Sequence, residues 1–247
     1  MSVGVLVPKS GRLWEPRLDL EMYHKHGKDI PSGIRKTIGE RLEELEAVLD
    51  RVEEVTNIEY PTIVLMPFAI VGYPVEPMIY FATVSWGRST ELGSAPFVGL
   101  SAPTLICGSN KALTGVLFHE LIHYVARSVA MVFELPIDIS TFISIHRSKE
   151  FMLKLAEIII GDEETLRLYR EYERGEEKAR LADTIWSMWL DKGLPSVNYH
   201  SLGTIIAEAV FRQQESRLPL LVDGRLIDRY GDKTIELIEE HSQGKEN

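Results

Sequence analysis

Apolar side chains recur at Ile34, Ile38, Leu42, Leu45, Leu49, Val52 and Val55, while the positions between them are mostly charged. A spacing of about 3.6 residues is one face of an α-helix, so a long amphipathic helix is predicted, opening at Ser32 just after Pro31. After Asn57 the period changes. Three runs, 62–68, 78–86 and 97–107, are rich in Val, Ile, Tyr, Phe and Thr and are separated by Gly, Pro and Ser, which predicts strands of a small sheet. Between the last two, residues 87–96 (GRSTELGSAP) read as the clearest flexible connection, a place for a loop beside a binding cleft.

The run 115–130 is apolar over most of its length, with Val116, Leu117, Phe118, Leu121, Ile122, Val125, Ala126 and Val129. A helix that is apolar nearly all round is buried on most sides. Ser109 or Asn110 is placed to cap its start. Further helices are predicted over 149–160, 162–174, 176–191, 201–217 and 232–241, with breaks at Pro136, Gly161, Gly175, Gly193, Pro195, Pro219 and Gly224. The expected fold class is therefore α+β. Residues 1–132 form a sheet-plus-helix lobe, 133–240 a mostly helical lobe and 241–247 a polar, mobile tail. No internal repeat is visible.

Inside the apolar run stands HELIH, residues 119–123. Residues four apart on a helix lie one above the other, so His119 and His123 can reach a single metal ion, with Glu120 beside them to act on water. With 7 His and 37 acidic residues in 247 positions, H-[DE]-x-x-H arises by chance in only about 3% of such chains, so the motif carries weight. Two imidazoles and a carboxylate in apolar surroundings also demand partners. The structural alternative is two core histidines bonded to neighbours, with Glu120 paired to Arg127 or Lys111.

Composition narrows the setting. A net charge of −10 argues against a general affinity for nucleic acid. The single cysteine, Cys107, rules out an internal disulfide and suits a reducing compartment, where it reads as a small core residue. The opening residues lack the pattern of a secretory signal, and the apolar stretch 62–73 is interrupted by Pro67 and too short to cross a bilayer. A cytoplasmic location with no membrane and no nucleic-acid partner is expected. Oligomeric state is not legible.

The order of helix, strands, HELIH helix and helical second half resembles the zincin metallopeptidases. The resemblance covers the five motif residues tightly and the middle of the chain loosely. It implies one catalytic zinc ion, a peptide or protein substrate, and a substrate-holding edge strand for which the segment 97–107 is the counterpart. It also implies a third ligand from the second lobe. The metzincin pattern is excluded, because its third histidine and its glycine fall on Val129 and Ala126. Residues 207–212, AEAVFR, are similar to the third-ligand helix of gluzincins, with one residue inserted before Phe211, and make Glu208 the leading candidate. An acid between Ala207 and Ala209 on an apolar face also needs a partner in its own right. His146, in SIHRSKEF, resembles the SprT-like pattern and is the rival.

The catalytic set implied is Glu120 as general base, with Tyr199 and His200 as donors to the developing oxyanion. Metal-bound imidazoles donate their second N–H to an acceptor, and Asp183, Glu157 and Glu134 are the carboxylates considered for that place. Trp186, Met188 and Trp189 are expected in the core. Two alternatives stand beside the peptidase: a metal-binding protein of this fold without peptidase activity, and a hydrolase of a non-peptide substrate using another divalent ion. An interaction module that binds a basic partner through its acidic surface is a third.

Overall fold

In a computed structural model of the chain, residues 4–6, 12–14, 16–72, 78–89, 93–136, 144–145, 148–199, 201 and 219–243 are described. The chain begins with two short strands, β1 (Val5–Leu6) and β2 (Leu18–Asp19), then α1 (Glu21–His26) and a 3-10 turn at Gly27–Asp29. The long helix α2 (Ser32–Thr56) starts at Pro31 as expected and buries Ile38, Leu45, Val48, Leu49 and Val52. It stops at Asn57, which takes the left-handed conformation (φ 52°) that Asn tolerates better than most residues.

The strand-rich region follows as β3 (Thr62–Met66), β4 (Ala69–Gly72), β5 (Met78–Tyr80), β6 (Ala82–Ser89) and β7 (Ser94–Ser101). Two corrections to the sequence reading arise here. First, the chain from Ala102 to Cys107 is a helix, α3, because the Ser101 side chain caps it by accepting from Thr104 N–H and Pro103 sits in its first turn. The apolar run crosses a boundary set by three small residues. Second, residues 87–96 are not one flexible connection. Antiparallel pairing of β6 with β7 continues through Arg88↔Ala95 and Ser89↔Ser94, so most of this segment is hairpin.

The larger sheet has the order β1-β9-β7-β3-β2, with β6 antiparallel along the other margin of β7 and all other pairs parallel. Strands β3 and β7 are buried at every position, as central parallel strands with covered faces must be. Among the described residues β6 has β7 as its single strand neighbour, so β6 is an edge. The segment 97–107 is therefore not the edge strand. Its unbroken apolar run fits a strand buried on both faces, whereas β6 alternates Ala82, Val84, Trp86 with Thr83, Ser85, the pattern of a half-buried margin.

Helix α4 (Asn110–Val132) carries HELIH and is capped by Ser109, whose hydroxyl accepts from Ala112 N–H. Around it pack α2, β6 and the later helices α5 (Lys149–Ile159), α6 (Glu163–Arg174), α7 (Glu176–Ile185) and α8 (Gly224–Gln243). All-round packing explains why α4 is apolar all round. Helix α7 runs into a π-helical stretch, Trp186–Leu190, in which Trp189 is buried but Trp186 and Met188 are exposed, so only one of those three side chains is core. Gly224 opens α8 rather than breaking the chain, and the helix extends to Gln243, into the stretch expected as tail.

The range expected as a helical lobe sends two strands back. β8 (Ser196–Asn198) pairs with β4, giving a second sheet of order β5-β4-β8, and β9 (Leu220–Leu221) joins the larger sheet. One cluster of buried side chains runs from Trp14 through α2, the sheet and α4 to Ile238. No helix among the described residues is long and apolar enough to cross a membrane.

Candidate functional site

The two motif histidines converge. On α4 their Nε2 atoms stand 3.1 Å apart, with ring centroids 4.7 Å apart and planes nearly perpendicular at 84°. Two nitrogens bound to one tetrahedral zinc at about 2.05 Å each are about 3.3 Å from one another, so the observed separation fits a shared ion. It is also the distance of an N–H···N hydrogen bond.

What orients the pair comes from α6. Glu173 Oε1 lies 2.8 Å from His119 Nδ1, and Glu173 Oε2 accepts from Lys178 Nζ at 2.8 Å. The Glu173 side chain is only 5% exposed. Burial by itself would raise its pKa, but the His119 and Lys178 donors outweigh that and bring it to about 2, so it is an acceptor. An ionised carboxylate can only accept, which puts a proton on His119 Nδ1 and leaves the Nε2 lone pair facing His123.

Glu173 was not among the carboxylates the sequence suggested for this place. Asp183, Glu157 and Glu134 are all exposed, Glu157 pairs with Arg170, and Glu134 occupies a left-handed turn (φ 48°) after α4. A signal for Glu173 existed. It stands seven residues after Leu166 and four after Tyr169, so it occupies the buried stripe of α6, where an acid needs a partner.

Glu120 is 7% exposed and does not pair with Lys111 or Arg127. Lys111 bonds Glu171, and the Arg127 guanidinium lies 5.5 Å from the centre of the Trp86 ring. The Glu120 carboxylate instead faces edge strand β6, where the Val84 backbone N–H favours its charged form. Burial holds its pKa above the usual carboxylate range, opposed by His119, the Val84 N–H and Lys178. Tyr60, whose hydroxyl donates to the Leu117 carbonyl, is pushed well up by burial and then by the Glu120 charge. Trp86 on β6 stacks on Tyr124, ring centres 5.6 Å apart, so the margin of the sheet is pinned beside the motif.

Close approach of α6 to α4 depends on Gly115, one turn before His119. A Cβ there would lie 2.3 Å from Cγ of Tyr172. The absent side chain lets the Tyr172 ring lie against the α4 backbone and so brings the neighbouring Glu173 within reach of His119.

Of the remaining sequence-derived residues, Tyr199 follows β8, where its ring stacks on Tyr80 at 4.3 Å with a 16° tilt. His200, Glu208 and His146 lie outside the described residues. Within the described residues no group of three or more His, Cys, Asp or Glu side chains is set to hold a metal ion, so this part of the site offers two imidazole donors. Cys107 is half-buried, and burial raises its thiol to about 11, so it is not an activated thiolate. Two cavities open elsewhere. One of about 300 Å³ lies between Arg12, Glu53, Glu59 and Arg225, and one of about 250 Å³ lies between Val71, Trp186 and Asn198; neither is lined by the motif residues. Compared with protein-family profiles, curated proteins and solved structures, the chain matches none.

Proposed function

We propose that this chain is a zinc-dependent metallopeptidase of gluzincin-like organisation, with His119, His123 and Glu208 as metal ligands and Glu120 as general base. The observation that carries the reading is the 3.1 Å approach of two imidazole Nε2 atoms whose orientation is enforced by a buried carboxylate behind His119. The order of a backing helix, a sheet with one antiparallel margin and then the motif helix supports a zincin-like arrangement.

A zinc ion held there would supply a Lewis acid that polarises a carbonyl and makes water acidic near neutral pH. The chain's own residues divide the remaining work. Glu120 takes a proton from the attacking water as its oxygen bonds to the carbonyl carbon, and passes that proton to the amine nitrogen as the C–N bond breaks. Its raised pKa suits both halves of that exchange. Tyr199 and His200 are the donors that the gluzincin resemblance offers to the oxyanion. A peptide or protein substrate in the cytoplasm, with no nucleic acid or membrane, completes the reading.

The same 3.1 Å favours a second reading, in which His123 Nε2–H donates to His119 Nε2 and no metal binds. Elemental analysis of purified protein separates the two. The metal reading expects about one equivalent of zinc, lost in His123→Ala. Absence of stoichiometric metal from the unaltered protein would leave the hydrogen-bonded pair.

A further inference from the structure

Resting on that metal reading, we infer that Lys178 is a positioning residue for the histidine pair, acting through Glu173. Lys178 stands near the start of α7, five residues after Glu173, and returns to it across a corner made by Gly175 in the left-handed region (φ 105°). Its ammonium bonds Glu173 Oε2 at 2.8 Å and lies 4.7 Å from the centre of the Tyr172 ring. The Tyr172 ring in turn lies on Gly115 of α4. Lys178 is therefore anchored to both the carboxylate and the ring that set the spacing of α6 against α4.

The physical consequence follows from counting donors. A carboxylate 5% exposed, with one oxygen on His119 Nδ1, needs a second donor for its other oxygen. Lys178 is that donor. With both oxygens held, the carboxylate has one orientation, Oε1 receives the Nδ1 proton, and His119 keeps its Nε2 lone pair aimed into the site. Without Lys178 the carboxylate turns to find another donor, and His119 exchanges between tautomers. The Nε2–H form has no lone pair to offer a metal.

The test uses the full chain and the variants Lys178→Met and Lys178→Arg, freed of metal. Zinc affinity is read by competition with a chromogenic chelator. The His119 tautomer is read from imidazole ¹⁵N shifts at alkaline pH, assigned by the signal lost in His119→Gln. Lys178→Met is expected to weaken zinc binding about tenfold and to mix the two tautomers, and Lys178→Arg to restore both. Unchanged affinity and a single Nδ1–H tautomer in Lys178→Met, or no recovery in Lys178→Arg, would overturn the inference. Lys178→Ala is read in place of the Met variant if the latter lacks the native circular dichroism spectrum. Because the tautomer is measured without metal, it decides the role of Lys178 even where the unaltered protein binds no zinc, an outcome that ends the metal reading alone.

Discussion

Two of the buried carboxylates among the described residues, Glu59 and Glu173, are completed in different ways. Near the start of β3, Glu59 Oε1 accepts from the Leu13 and Trp14 N–H groups, its Oε2 meets Arg225, and its own N–H donates to Asp223, which also holds Arg225. Apart from the Arg225–Asp223 bonds, the bonds of that staple join one chain segment to another, and although a cavity borders it, its carboxylates are closed by backbone N–H groups and by Arg225 rather than by an imidazole. Around α4, Glu173 is equally buried, but the imidazole it holds presents its far nitrogen to a second imidazole nitrogen. The contrast teaches how to tell structural charge from chemical charge: the first kind is closed by backbone donors and arginine, and the second orients a lone pair toward something else.

The sharpest way to break this contrast is Glu120→Gln. It is expected to lower peptide hydrolysis about 10²- to 10⁴-fold while zinc content and thermal stability stay as they were. Unchanged turnover in that variant would remove the enzyme from the reading. Next in size is Glu59→Ala, which leaves the Leu13 and Trp14 N–H groups without their acceptor and removes one of the two carboxylates that hold Arg225. A loss of about 3 kcal/mol in urea unfolding is expected, with zinc binding intact. If zinc binding fell in parallel with stability, the two carboxylate centres would not be separable.

Gly115→Ala tests the spacing between α4 and α6. The added Cβ meets the root of the Tyr172 ring rather than a flexible tip, so the helices must part. About 2 kcal/mol of stability should be lost, and zinc affinity should fall with it because Glu173 withdraws from His119. The smallest effect is expected of Ser109→Ala, which removes the cap of α4 about ten residues before His119. Calorimetry should record about 1 kcal/mol, and zinc affinity should not move.

Much of this is legible in the amino-acid sequence. Periodicity located α2, and a fully apolar run with a capping serine located α4, because burial on all sides leaves a compositional trace. The chemistry-bearing spacing of His119, Glu120 and His123 was equally plain, since helical geometry alone brings residues four apart together. Less legible was the switch from β7 to α3, where the deciding interaction is a single serine hydroxyl on Thr104 N–H within an otherwise uniform apolar stretch.

Local patterns bear on which strand forms the margin and which acid stands behind His119, through the alternation of β6 and the buried stripe of α6, but do not decide either. Both depend on pairing between segments distant in the chain: β7 is flanked by β3 and β6, and Glu173 is 54 residues from the ring it holds. An amphipathic helix announces that one face will be buried, but not against what. Here the partner was chosen by the missing side chain of Gly115 and the turn at Gly175, two glycines whose meaning exists only once the helices are packed.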